Sequence, residues 1–234
     1  MGPLHQPRTS ASSAANDLPD AATIGRAAYP KYDAASTRTG RPGVACNSKG
    51  ELLARLVAVK PWRGLGRDQL VAAFDQWVID PDTNEPLEFA QACGRNSCEV
   101  VLLESVGGDL RVVARGRAEA GCDALDLAPY RMKHGETLIG VRGRWVNHGF
   151  GDTTLTLLRV EGKQLRAVFA QPVDVETPDM DEEGVVTMVP RGDGPADIQI
   201  RYARRGEPAK KLSPRTEVYR WDGNHYAPKR RSSR

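Results

Sequence analysis

No stretch of the 234 residues approaches the roughly 18 consecutive apolar residues of a membrane helix, which excludes a helical span and points to a soluble chain. Met1 to Leu18 also lacks the apolar core of a signal peptide, so any export signal is already removed or never existed. There is no G-x-S-x-G elbow, no H-E-x-x-H helix and no G-x-x-x-x-G-K-[ST] loop. These absences remove the nucleophile elbow of the hydrolases, the zinc helix of the metalloproteases and the P-loop, and they favour a non-enzymatic chain. The Cys-x2-Cys pairs of structural zinc sites are missing as well.

What is present is a hairpin phrase written three times: LLESVGGDLRVV at 102 to 113, LLRVEGKQLRAV at 157 to 168 and YRWDGNHYA at 219 to 227. Each puts an apolar strand before a glycine-containing turn and another strand after it. The first two align without gaps at an offset of 55 residues, pairing Leu102 with Leu157, Gly107 with Gly162, Leu110 with Leu165 and Val113 with Val168. Further strands are expected at 137 to 146, 185 to 189 and 197 to 203. The pattern predicts an all-β fold of repeated antiparallel hairpins, either a small propeller-like array or a β-sandwich, with at most one short helix. That helix is expected from Asp68, because Leu70, Ala73, Phe74 and Trp77 recur at i, i+3, i+4 and i+7, with a strand opening at Gln76 to Ile79 as the equal alternative for its end. Trp77, Trp145 and Trp221 stand at expected strand ends and read as core anchors.

Residues 1 to 44 are rich in Ala, Ser, Thr, Pro and Gly without an apolar period, and read as a disordered leader or linker. One β-rich domain is expected over 45 to 228, followed by a basic tail at 229 to 234. The overall charge of +3 conceals an asymmetry. Residues 201 to 234 carry eleven Lys or Arg against Glu207, Glu217 and Asp222, whereas between Asp174 and Asp197 eight carboxylates face only Arg191. Two solvated surfaces of opposite sign should attract each other. Without interleaved aromatics or a reading helix, the tail reads as a solvated frayed end rather than as a nucleic-acid, lipid or import-receptor contact.

Four cysteines stand at 46, 93, 98 and 122. The short loop between Cys93 and Cys98 permits one disulfide, leaving Cys46 for Cys122, although three connectivities remain open. An even set without metal spacing favours an oxidising compartment. Asp179, Asp181 and Glu183, ahead of Gly184, follow the start of a calcium loop, in which alternate carboxylates converge on a hard cation. Pro190 at the twelfth position lacks the closing carboxylate of that pattern. His148 and Asp152, beside a glycine turn, form the most enzyme-like spot.

The closing phrase Val218 to Tyr226 and its earlier echoes resemble the strand-turn-strand unit of bacterial exported proteins of the FG-GAP or VCBS-like type. Some of these are similar to periplasmic lysozyme inhibitors and to immunity proteins that neutralise cell-wall-degrading toxins. The resemblance implies a periplasmic or secreted binding protein whose partner is a protein, either a toxin or a hydrolase. A secreted hydrolase using His148 and Asp152 and a calcium-stabilised β module are the alternatives.

Overall fold

The computed structural model describes residues 18–30, 32, 45–47, 50–63, 68–79, 97–122, 124–132, 136–147, 150–177, 180–204 and 215–229. Among the described residues one helix, α1 (Ala21–Ala28), precedes thirteen strands. They are β1 (Ala45–Asn47), β2 (Gly50–Trp62), β3 (Gln69–Ile79), β4 (Ser97–Val106), β5 (Asp109–Ala118), β6 (Ala124–Arg131), β7 (Thr137–Asn147), β8 (Phe150–Glu161), β9 (Gln164–Thr177), β10 (Met180–Arg191), β11 (Gly194–Arg204), β12 (Arg215–Trp221) and β13 (Tyr226–Pro228). Consecutive strands pair antiparallel from β1 to β5 and again from β6 to β13. The two runs join at a short parallel contact between β5 and β9. The fold is therefore all-β, as the hairpin pattern predicts.

All three repeated phrases are hairpins, β4–β5, β8–β9 and β12–β13, and their turns carry glycines at positive φ: Gly107 at 63°, Gly162 at 60° and Gly223 at 109°. A side chain there would strain the backbone, which is why the phrase keeps its glycine. Arg191-Gly192-Asp193 forms the fourth such turn, joining β10 to β11.

The sheets stack as layers rather than as radial blades. Along β4, Val100 and Leu102 point into one core while Val101 and Leu103 point into another. A strand buried on both faces reads as an unbroken apolar run, because each parity of its side chains meets a core of its own. The first core lies between β2–β5 and β6–β9 and holds Trp62, Val71, Val100, Leu102, Ile139, Val141 and Leu158. The second lies on the other face of β7–β9, where Leu155, Leu157, Phe169 and Val173 pack against Ile198, Ile200, Tyr219 and Tyr226. The third lies under α1, on the outer face of β2–β4. Where β5 meets β9, Gly116 lets the backbones touch, since a Cβ there would stand 2.0 Å from the Leu165 carbonyl oxygen.

Three expectations are corrected. Residues 69–79 form strand β3, not a helix: Val71 and Ala73 face the first core while Ala72 and Phe74 face the third, so both parities are apolar and imitate a helical spacing. The helix instead lies at Ala21–Ala28, inside the stretch expected to be a leader. Asp20 caps it by accepting a hydrogen bond from Thr23 N at 2.7 Å. Eight residues cannot hold a helix alone in water, and burial of Ile24 and Ala28 on the sheet supplies the stabilisation. Third, Trp145 is 45% exposed instead of anchoring a core, whereas Trp62 is buried in the first core and Trp221 packs partly buried against the second; the Trp77 side chain lies outside the described residues.

Candidate functional site

Beneath α1, four polar side chains from four elements converge. The Tyr29 hydroxyl donates to Glu99 Oε2 in a very short contact. Gln76 Nε2 donates to the Tyr29 oxygen at 2.7 Å and to Glu99 Oε2 at 3.0 Å. Arg115 Nη1 reaches Glu99 Oε1 at 3.3 Å, while its Nη2 donates to the Ala28 carbonyl that ends the helix. The guanidinium also lies 5.3 Å from the Tyr29 ring centre, so this group fastens α1 to the sheet by charge and by stacking.

Burial pushes the Glu99 carboxyl above its ordinary value of 4.5, and the Arg115 charge offsets this only in part. A carboxyl raised on folding binds its proton more tightly in the folded state, so its contribution to stability falls as pH rises from 4.5 through the raised value. Melting curves of wild type and Glu99→Gln across mildly acidic pH should diverge accordingly. The variant is expected to gain on the wild type as pH rises through that window, and a pH-independent difference would contradict the assignment.

On the opposite side of the molecule, the face of β6–β8 that belongs to the second core continues past β10 as an open cavity of about 110 Å³. Asp126, Ala128, Tyr130, Gly140, Arg142, Leu155 and Val186 line it. Register explains the grouping: Asp126 and Leu155 both lie directly across from Arg142, and Ala128 lies across from Gly140, which puts all five on one face. Gly140 makes room for the tyrosine, since a Cβ there would stand 2.2 Å from the Tyr130 ring. Asp126 is engaged by Lys60 of β2, and Arg142 Nε is closed off from solvent with no hydrogen-bond partner among the described residues. The Tyr130 hydroxyl has its pKa raised by burial, with Arg142 opposing and Asp126 adding to the shift.

A third surface is the outward face of β10–β12. Val185 lies across from Arg201 and Arg201 across from Thr216, while Thr187 lies across from Gln199 and Gln199 from Val218. Val185 is 62% exposed and Val189 37% exposed on this face. The acidic and basic stretches do meet across these strands: Arg220 pairs with Asp197 at 3.2 Å on this face, and Arg215 with Glu182 at 3.3 Å on the other, beside Tyr202.

Of the cysteines, Cys98 and Cys122 form a disulfide with their Cα atoms 5.8 Å apart, which corrects the expected Cys93–Cys98 and Cys46–Cys122 pairings. The physical reason is register: Cys98 lies across from Ala118 near the end of β5, so the chain leaving β5 brings Cys122 back beside β4. Cys93 lies outside the described residues, and of Cys46 only the backbone in β1 is described. Asp179 also lies outside them, whereas Asp181 and Glu183 stand two apart in extended strand β10, across from Glu176 and Asp174 of β9. Gly184 is not a loop hinge but a close approach, since a Cβ there would stand 2.4 Å from the Val173 carbonyl oxygen. No group of three or more His, Cys, Asp or Glu able to hold a metal occurs among the described residues. His148 is outside them, and Asp152 sits within β8 across from Trp145. No helix among them is long and apolar enough to cross a membrane.

Sequence reasoning missed Arg142, Tyr130 and Glu99. The available signal was parity: Leu138, Gly140 and Arg142 alternate on one face of an expected strand, which brings an arginine into line with a core leucine. Comparison with protein families, curated proteins and solved structures returns no match.

Proposed function

We propose that the chain is a periplasmic or secreted non-enzymatic binding protein, an inhibitor or immunity protein acting on a cell-wall-targeting or other toxin. The observation that carries this reading is the outward face of β10–β12, where Val185 and Val189 stand exposed among Thr187, Gln199 and Arg201 on a rigid layered scaffold. Apolar side chains rimmed by polar and cationic ones suit protein recognition, and a β-sheet presents them with little entropy left to lose on binding. The Cys98–Cys122 disulfide supports an oxidising compartment. The hairpin phrase and its resemblance to exported inhibitors supply the partner class. Capture of a protein partner by the oxidised chain at micromolar concentration tests the reading, and recovery of no partner would overturn it.

A further inference from the structure

Strand β10 is paired along one edge for part of its length. β9 runs beside it from Met180 to Glu183, while β11 follows its other edge from Glu182 to Arg191. Past Gly184 no described strand pairs with the β9 side of β10. Backbone parity shows what that edge presents. Gly184 N donates to Asp174 Oδ1 of β9 at 3.2 Å, so even-numbered residues turn their N–H and C=O toward the β9 side and odd-numbered ones toward β11. Val186 and Met188 therefore direct both backbone groups into the open edge, and neither N–H has a partner among the described residues. Pro190, the next even residue, has no N–H to give, which is why this strand tolerates it. Val185, 62% exposed, and Val189, 37% exposed, flank the edge on the outward face. An unpaired edge that carries exposed β-branched residues is a template for another strand.

We propose that this edge is an interface with a second copy of the chain, β10 pairing antiparallel with β10 about a twofold axis at Met188. Three observations choose that occupant. First, β9 fills the lane beside β10 as far as Glu183, where Asp174 stands across from it, so an added strand lies along Val185 to Arg191, whose midpoint is Met188. Second, the donors and acceptors match about that axis. Met188 N–H and C=O meet those of the second copy's Met188, and Val186 N–H meets the carbonyl of the second copy's Pro190. The proline has only to accept, so neither Val186 nor Met188 is left with an unmet N–H. Third, this register sets Val189 across from the second copy's Thr187 and diagonal to its Val185, which brings the exposed valines within reach of each other. It also sets Val185 across from the second copy's Arg191. The two β10–β12 faces then run on as one surface.

The test is the concentration dependence of mass and of amide exchange in the full oxidised chain, from about 10 μM to about 1 mM. Sedimentation should show the 25.5 kDa chain give way to twice that mass. Over the same range the Val186 and Met188 amides should slow their exchange about threefold or more, while Thr187, whose N–H faces β11, should not change. Val185→Lys, facing the second copy's Arg191, should weaken association about fivefold more than Val185→Asp, which faces the same arginine with the opposite charge. A chain that keeps its single mass throughout, a doubled mass with both amides unchanged, or a Val185→Asp chain that associates no better than Val185→Lys would overturn the proposal. If the variants fail to fold, the wild-type amides still decide it. Protection of Val186 and Met188 that appears only when a captured protein is added assigns the edge to that protein and overturns the second copy. The pairing stands apart from the partner reading, since a dimer without a captured partner, or a partner held by a single chain, sinks only one of the two.

Discussion

Phe74→Ala is expected to lower the unfolding free energy by about 3–5 kcal/mol, the usual range for emptying a fully buried aromatic position. Phe74 has no exposed surface, and its ring receives Tyr29 edge-on at 5.1 Å and Tyr32 at 6.2 Å. It is therefore the floor on which the α1 segment rests, and the cavity left behind cannot close by local shifts because β3 is paired on both sides, to β2 and to β4. Urea unfolding measures the loss. Limited proteolysis should show new cleavage between residues 18 and 32, because α1 loses its packing before the sheets lose theirs. A loss under about 1 kcal/mol with unchanged proteolysis would show that α1 docks without this floor.

Removing the disulfide as Cys98→Ala with Cys122→Ala is expected to cost about 3 kcal/mol, since the bridge closes a sequence separation of 24 residues and its loss frees the unfolded chain. The loss is sharpened by position, because Cys98 is fully buried in the first core beside Val100 and Ala118. Urea midpoints of wild type with and without reductant should bracket that of the double variant. Peptide mapping without reductant should recover a fragment joining Cys98 to Cys122. Recovery of Cys98 joined to Cys93 instead would contradict the pairing.

The hairpins were legible because their cause is local. A tight turn demands positive φ, glycine meets the demand, and the flanking apolar runs are the strands themselves. The runs Val100 to Leu103 and Leu155 to Leu158 form strands buried on both faces. That same double burial defeated the reading of residues 70 to 77, where apolar side chains of both parities satisfy helical and extended periods equally. The place of α1 was hidden because AATIGRAA is too short and too weakly apolar to signal a helix, and only its contact with the sheet stabilises it.

The candidate sites were less legible than the fold. Arg142, Tyr130 and Asp126 come together through the register of β6 on β7 and the return of β10 above them, and no local spacing encodes that meeting. Glu99, Gln76 and Tyr29 likewise join strands and a helix separated by up to 70 residues. The pairing of Cys98 with Cys122 depended on where β5 ends, whereas sequence spacing favoured the nearer Cys93.

The most direct test of the binding role is capture from the exported protein fraction of a bacterium, using the oxidised chain and its Val185→Asp variant side by side. Val185 is 62% exposed, so the variant should keep the wild-type melting temperature within a degree or two, while a charge set in the apolar part of the β10–β12 face should reduce partner recovery about tenfold or more. The account predicts a cell-wall-targeting or other toxic protein retained by wild type at micromolar concentration and lost from the variant. Equal recovery by both chains, or no specific protein on either, would contradict it.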